Sequence, residues 1–316
     1  MSNTNGMASG TDILVSEVGP RDGLQSIKSI MPLAAKKAWV SALAASGVRE
    51  IEVGSFVSPK WVPQLADTAA VVAHALTIPD LTVAVLVPNL QGATAAVKAG
   101  AHKLTIPFSA SETHSIKNVH RTHEQMFDEV RNIVALLNTL PAATRPRFEG
   151  GLSTAFGCTY EGNVPAAQVV RLAEQLVEIG CDEIGLADSV GFANPAQVRD
   201  LVVRVRDAIG NEAFAGLHMH NTRGLGLANV VAGLEVGVTT FDSSMAGIGG
   251  CPFAPGATGN VVTEDLVFML EAMGLHTGIN VVKLMEVRKI LAAAVPGEEL
   301  YGYTPAAGLP LGYVQQ

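Results

Sequence analysis

Eight times along this chain a short β-rich apolar run gives way to polar or Gly/Pro residues, and then to an Ala/Leu/Val-rich stretch of helical character. The strand-like runs span residues 13–20, 49–56, 81–88, 103–110, 147–154, 183–190, 214–221 and 239–247. Their starts lie mostly about thirty residues apart, the length of a βαβ repeat. Eight such units in about 260 residues match an α/β fold of the (β/α)8 TIM-barrel type. A doubly wound open sheet is the alternative. It lacks the GxGxxG turn that would follow its first strand.

The intervening stretches carry helix start and stop signals. Residues 33–46 end at Gly47 and residues 90–99 end at Gly100. Residues 164–179 have Pro165 in the first turn and end at Gly180, and residues 195–209 follow Asn194 as N-cap and end at Gly210. Proline inside the start and glycine past the end is the expected asymmetry. After the eighth helix, near residues 263–273, the residues 281–294 read as an additional C-terminal helix, and the Gly/Pro-rich remainder reads as irregular. Residues 1–12 are polar and small, and are expected to be disordered. Residues 13–316 are expected to form one catalytic domain, because no linker divides them.

Composition narrows the function. The hydrophobic fraction of 48% against 16% charged residues is enough for a large buried core. A formal charge of −8 argues against nucleic acid as a partner. An anionic substrate would have to be held by local Arg, Lys, backbone N–H groups or a metal. The three cysteines, Cys158, Cys181 and Cys251, are odd in number and widely spaced, which argues against a disulfide framework. No signal-peptide h-region and no apolar run of membrane-spanning length is present, so a cytoplasmic location is expected.

In a barrel of this type the chemistry gathers at the C-terminal ends of the strands. Those ends carry Arg21 and Asp22, Glu52, then Ser109, Ser111 and Glu112, Ser153 and Thr154, Asp188, the triplet His218-Met219-His220 with Asn221, and finally Asp242, Ser243 and Ser244. Residues i and i+2 of a strand share a face, so both imidazoles can point into the barrel mouth and share one ion. The competing reading is two histidines bonded to neighbouring carboxylates. Two imidazoles with a carboxylate and no thiolate suit Mg²⁺ or Mn²⁺ rather than zinc. Arg21 and Asp22 could equally form a surface ion pair at a β–α turn. Glu52 and Asp188 could serve only to hold Arg21 or a histidine.

The run Gly247-Ile248-Gly249-Gly250-Cys251-Pro252 continues, rich in glycine and proline, to Asn260. It can be read as a plain flexible loop or as a phosphate-binding turn, although it lacks the Lys-Ser/Thr ending of a Walker loop. A cysteine on a glycine-hinged loop above a metal site also fits a mobile acid/base or nucleophile.

These residues carry a resemblance. Residues 17–25 (EVGPRDGLQ), 51–64 (IEVGSFVSPKWVPQ), 153–162 (STAFGCTYEG) and 184–191 (IGLADSVG), together with the cysteine loop and its continuation to Gly278, resemble the 3-hydroxy-3-methylglutaryl-CoA lyase family of metal-dependent barrel lyases. The resemblance implies metal ligands Asp22, His218, His220 and Asn260. It implies Arg21 as the group that polarises the thioester carbonyl, and Cys251, Glu52 and Asp188 in proton transfer or its support. Substrate contacts are expected from Arg21, Gln25, Ser153, Gly249 and Arg223. The implied reaction is retro-Claisen cleavage of an acyl-CoA substrate with Mg²⁺ or Mn²⁺, in a homodimer. The cysteine loop belongs to the lyase branch, not to the related Claisen-type synthases.

The chain departs from the family pattern in two places. After the second histidine the lyases usually carry HDTYG, whereas this chain has His220-Asn221-Thr222-Arg223-Gly224. A family tyrosine near the end of strand 5 corresponds to Gly151. Both departures point to a different or larger 3-hydroxyacyl group. A lyase for another thioester, a synthase, and a metal-binding barrel without catalysis are the rival readings.

Overall fold

The computed structural model describes residues 10–249 and 259–315. Eight parallel strands close on themselves in sequential order: β1 (Leu14–Glu17), β2 (Glu50–Ser55), β3 (Thr82–Leu86), β4 (Lys103–Ser109), β5 (Arg147–Ser153), β6 (Glu183–Asp188), β7 (Phe214–Met219) and β8 (Thr240–Ser243). Closure is made by β1 against β8, with Leu14 opposite Thr240 and Glu17 opposite Ser243. The expected TIM barrel is therefore present. Its strands are shorter than the apolar runs, because the last residues of most runs already belong to the loops.

The helices are α1 (Leu24–Ser26), α2 (Leu33–Ser46), α3 (Thr68–Ala75), α4 (Leu90–Ala99), α5 (Glu112–Val119), α6 (His123–Leu137), α7 (Ala166–Ile179), α8 (Pro195–Ile209), α9 (Gly226–Glu235), α10 (Thr263–Ala272), α11 (Val281–Ala294) and α12 (Tyr303–Ala307). Asn194 caps α8 as expected, accepting hydrogen bonds from the backbone N–H of Ala196 and Gln197. The β4–β5 connection holds two helices, and the stretch read as irregular contains the short α12. The outer faces of the strands, with Leu104, Phe108, Phe148, Leu217 and Phe241 fully buried, pack under the helices as one core. None of the helices is long and apolar enough to cross a membrane among the described residues.

An ionic plug closes the bottom of the barrel. Lys103 Nζ lies 2.7 Å from Glu149, 3.0 Å from Glu183 and 3.4 Å from Glu50. These residues come from four different strands, so they face the barrel interior. The two-residue period then places Thr105, Pro107 and Ser109 of β4, and Gly151 and Ser153 of β5, on the same inner wall above the plug.

Candidate metal centre and active site

At the top of β1 the chain turns sharply through Gly19–Gly23, a π-type turn in which the N–H groups of Arg21 and Asp22 both donate to Val18 O, at 3.1 and 2.7 Å. The turn folds Arg21 and Asp22 back over the mouth. Pro20 starts it, and two glycines are needed for the close packing. A Cβ on Gly19 would lie 2.5 Å from Glu17 Oε1, and one on Gly23 would lie 2.6 Å from Ile248 Cγ1. Arg21 NH1 donates to Asp22 Oδ1 at 2.6 Å, and its Nε donates to Glu52 Oε2 on β2. Burial raises the Glu52 carboxyl, and the attraction of Arg21 does not bring it back to the ordinary range. Burial alone would also raise Asp22. The guanidinium of Arg21 and the imidazoles of His218 and His220 outweigh it and hold that carboxyl below the usual range.

Across the mouth, His218 Nε2 and His220 Nε2 stand 3.1 Å apart. His218 Nδ1 is bonded to Asp242 Oδ2 of β8 at 3.0 Å. Burial would lower the His218 imidazole, but the hydrogen bond and charge of Asp242, with Asp22, hold it above its ordinary value. His220 is pushed the other way, down to about 3, by burial and by His218 beside it. A neutral His220 offers a lone pair, the form a metal requires.

Asn260 reaches the same place from far along the chain. The returning segment pairs with the end of β7: His220 and Asn260 form an antiparallel bridge, and Val261 N donates to Met219 O at 3.0 Å. Asn260 Nδ2 donates to Asp22 Oδ2 at 2.7 Å and to Ile248 O at 3.2 Å. Gly249 has φ +119°, and a Cβ there would lie 2.2 Å from Asn260 Nδ2 and 2.8 Å from Asp22 Oδ2. Only glycine fits that position.

A divalent ion fits this donor set. Ligand atoms of Asp22, His218 and His220 all lie within 4.8 Å of one another. Two cis ligands on a shared octahedral ion, each about 2.1 Å from it, are about 3.0 Å apart, close to the separation of the two imidazole nitrogens. Two polar atoms here, Asn260 Oδ1 and His220 Nδ1, are buried without a hydrogen-bond partner among the described residues. The Asp242–His218 bond orients the ring in the manner of a carboxylate behind a metal-ligating imidazole. Sequence reasoning placed Asp242 at a strand end but gave it no role. Its position on the same face as His218, one strand over, was the available signal.

The other expected residues scatter in function. Glu52 grips Arg21. Asp188 is fully buried and accepts from the backbone N–H of Phe192 at 2.8 Å and Ala193 at 3.0 Å. Both of its oxygens are thereby engaged in holding the loop after β6. Gln25 lies in α1 next to the mouth, with Oε1 buried and unpartnered among the described residues. Ser153 lies on the inner wall, 3.1 Å from Ser109 Oγ. Arg223, expected as a substrate contact, makes contacts of its own within the protein. Its NH1 donates to Val190 O and Gly191 O at 3.1 and 2.9 Å, and its guanidinium lies 4.6 Å over the Phe192 ring. It clasps the loop after β6 to the loop after β7 and lines a hollow of about 370 Å³ with Phe156, Asn163 and Gln197. Cys251 lies outside the described residues.

Glu17 opens the run 17–25 that carries the resemblance, but was given no role of its own. It points outward from β1, fully buried, and accepts from Gly19 N at 2.8 Å, Met245 N at 2.9 Å and Thr263 Oγ1 at 2.6 Å. It thus ties the Arg21–Asp22 turn to both ends of the glycine-rich loop. Burial pushes its carboxyl up to about 8 despite those hydrogen bonds.

The chain is similar to known proteins over most of its length. The HMGL-like family model matches residues 12–291. The mitochondrial hydroxymethylglutaryl-CoA lyase of Gallus gallus is 41% identical over 283 residues, covering 90% of this chain and 93% of its own. The cytoplasmic 3-hydroxy-3-methylglutaryl-CoA lyase of Danio rerio is 40% identical, covering 90% and 83%. Among solved structures, an HMG-CoA lyase from Acinetobacter baumannii in complex with coenzyme A and 3-methylmalate superposes with a TM-score of 0.90 at 40% identity, covering 98% of this chain and 99% of that one.

Proposed function

This chain belongs to the HMGL-like family, and from that premise we propose that it is a metal-dependent carbon–carbon lyase cleaving 3-hydroxy-3-methylglutaryl-CoA, or a close 3-hydroxyacyl-CoA, to acetyl-CoA and the corresponding keto acid. The observation that carries the reading is the convergence of Asp22, His218 and His220 directly beside the half-buried guanidinium of Arg21. Asp22, His218, His220 and the Asn260 amide oxygen would hold Mg²⁺ or Mn²⁺, whose chemistry is to acidify the substrate hydroxyl as a Lewis acid.

The chain's own residues supply the rest. In the cleavage a general base takes the proton of the substrate's 3-hydroxyl, and the freed electron pair forms the new C=O as the C2–C3 bond breaks. The pair from that bond becomes the enolate, whose negative charge gathers on the thioester oxygen. Arg21 is the donor placed to stabilise that charge. Glu52 and Asp22 grip it from two sides, so it does not reorganise when the charge appears. The enolate carbon then takes up a proton, a step for which Cys251 is the group we assign. Asp188 acts through the loop it holds. Gln25 and Ser153 offer hydrogen-bonding groups to the substrate, and Gly249 leaves the space beside Asp22 clear.

One observation favours an acyl group larger than methylglutaryl. Gly151 brings no side chain to the inner wall, where the resemblance places a tyrosine. A Cβ there would lie 3.2 Å from Thr105 Cγ2, closer than side chains normally pack, and 3.6 Å from Ile106 O, so glycine keeps this part of the wall flat. The same reading carries a homodimer and a cytoplasmic location, in keeping with the free, buried Cys158 and Cys181.

The test is thioester cleavage by purified protein, with a panel of 3-hydroxyacyl-CoA substrates, before and after chelation and on readdition of Mg²⁺ or Mn²⁺. Cleavage that needs the ion supports the reading. Absence of cleavage of every thioester, with the ion present, refutes it.

A further inference from the structure

On the wall of the mouth opposite the metal ligands, Ser153, already offered to the substrate above, ends a chain of three side chains whose other two members have no role so far. Ser153 Oγ at the end of β5 is 3.1 Å from Ser109 Oγ at the end of β4, and Ser109 Oγ is 2.7 Å from His114 Nδ1 on α5. Ser109 and His114 are each 3% exposed, whereas Ser153 is half-buried and faces the interior. Buried hydroxyls and imidazoles are costly to order unless their hydrogen bonds are made.

The surroundings fix this chain in place. Ser111 Oγ accepts from His114 N at 3.1 Å, capping α5. His123 Nε2 is 2.8 Å from Ser109 O. Thr154, directly after Ser153, has φ +56°, a left-handed conformation that a β-branched residue adopts only under constraint. Its hydroxyl accepts from Ser111 N and its own N–H donates to Ser189 Oγ, each at 3.1 Å. A strained residue held from both neighbouring loops sets the direction of Ser153. His114 Nε2 is buried without a partner among the described residues, so the ring's polar contact is spent on Ser109 alone.

We propose that Ser109 and His114 are positioning residues that fix the orientation of the Ser153 hydroxyl, through which the acyl group of the thioester substrate is hydrogen-bonded on the β4–β5 wall. The inference rests on the lyase reading and adds to the same site the two residues that orient its Ser153 contact. Below Ser153 the wall is small-sided, with Gly151 and Thr105, so an acyl group can approach it.

The arrangement has a consequence that simple packing lacks. In the Nε2–H tautomer of neutral His114, the one this proposal requires, Ser153 O–H donates to Ser109 Oγ and Ser109 O–H donates to His114 Nδ1, so Ser153 turns its lone pairs to the substrate. When His114 takes a proton, Nδ1 becomes a donor, both hydroxyls reverse, and Ser153 turns its O–H to the substrate. The groups facing the ring are Glu161, whose charge favours the protonated form, the Tyr160 ring and, through Ser109, His123. Burial outweighs Glu161 and holds His114 below its ordinary value of 6.5.

The experiment measures kcat and KM against pH for the holoenzyme and for Ser153→Ala, Ser109→Ala and His114→Phe, with thermal melting as a check on folding. Ser153→Ala should raise KM about tenfold with kcat within threefold, the loss of one hydrogen bond. The wild type should show a step in KM on the acid side of pH 6.5, absent from His114→Phe and equally from Ser109→Ala, which breaks the chain without removing the ring. Unchanged KM in Ser153→Ala, or persistence of the step in Ser109→Ala, overturns the inference. Wild-type protein that cleaves no thioester instead fails the lyase reading, which separates the two.

Discussion

Asn260 Nδ2 donates to Asp22 Oδ2 at 2.7 Å, joining residues 238 positions apart at the rim of the barrel. The contact lets the segment returning from the glycine-rich loop report directly on the carboxylate of the first strand's turn. Gly249 sits in the same cleft. Gly249→Ala would force a methyl group into the space of Asn260 Nδ2 and Asp22 Oδ2 at a backbone conformation that alanine resists. Metal affinity, read by titration into chelator-treated protein, should fall at least tenfold, with melting temperature in the loaded protein reduced in parallel. Unaltered affinity would show that the cleft relaxes without cost.

Asp242 stands behind His218 as the partner of Nδ1. Asp242→Asn keeps the shape but replaces a carboxylate by an amide that can present its N–H₂ instead of an acceptor, leaving the ring's orientation and tautomer unspecified. The expected result is a metal affinity lower by roughly 10–100-fold, as for other partners of ligating imidazoles. A binding isotherm equal to the wild type would remove Asp242 from the site.

Arg21 is gripped by Glu52 and Asp22, so its guanidinium is oriented before substrate arrives. Removing a preorganised donor costs mainly turnover. Arg21→Met should lower kcat by roughly 10²–10³, with metal binding retained. A variant with near-normal kcat would contradict the assigned role.

The barrel was legible because each βα unit repeats a change of hydrophobic period, from short β-rich run to helical stretch, and Gly47, Gly100 and Gly180 mark where helices stop. His218, His220, Arg21 and Asp22 were legible because strand ends concentrate polar residues. What sequence could not resolve was the face on which a side chain lies. In a parallel barrel both faces of a strand are buried, so alternation does not separate interior from exterior. Glu17 therefore looked like one more strand residue, although it faces α10. Asp188 and Asp242 both stood at strand ends and only Asp188 was given a role, yet the first holds backbone N–H groups and the second holds His218. Lys103 gave no sign of sitting among three glutamates, because its partners come from strands far apart in sequence. Arg223 was expected as a substrate contact, and nothing local foretells that its guanidinium is also bound to the carbonyls of a neighbouring loop.

Glu17 gives the clearest dependence of stability on pH. Its carboxyl moves from an ordinary 4.5 to about 8 in the folded chain. Between those values the folded state keeps a proton that the unfolded state has lost, so this group's contribution to stability falls as pH rises from about 4.5 to about 8 and is flat above. Glutamine reproduces the protonated form: its amide oxygen can accept from Gly19 N and Met245 N, and its amide N–H can donate to Thr263. Glu17→Gln should therefore match the wild type near pH 5 and exceed it in denaturant midpoint near pH 9. Glu149, a buried carboxylate raised by its own surroundings on the far side of the barrel, is common to both proteins and cancels in the difference, whereas the charge of Glu264 is one of the causes of the Glu17 shift and belongs to the same effect. A difference between the two proteins that does not change with pH would mean that Glu17 is charged in the fold, held by its three donors alone.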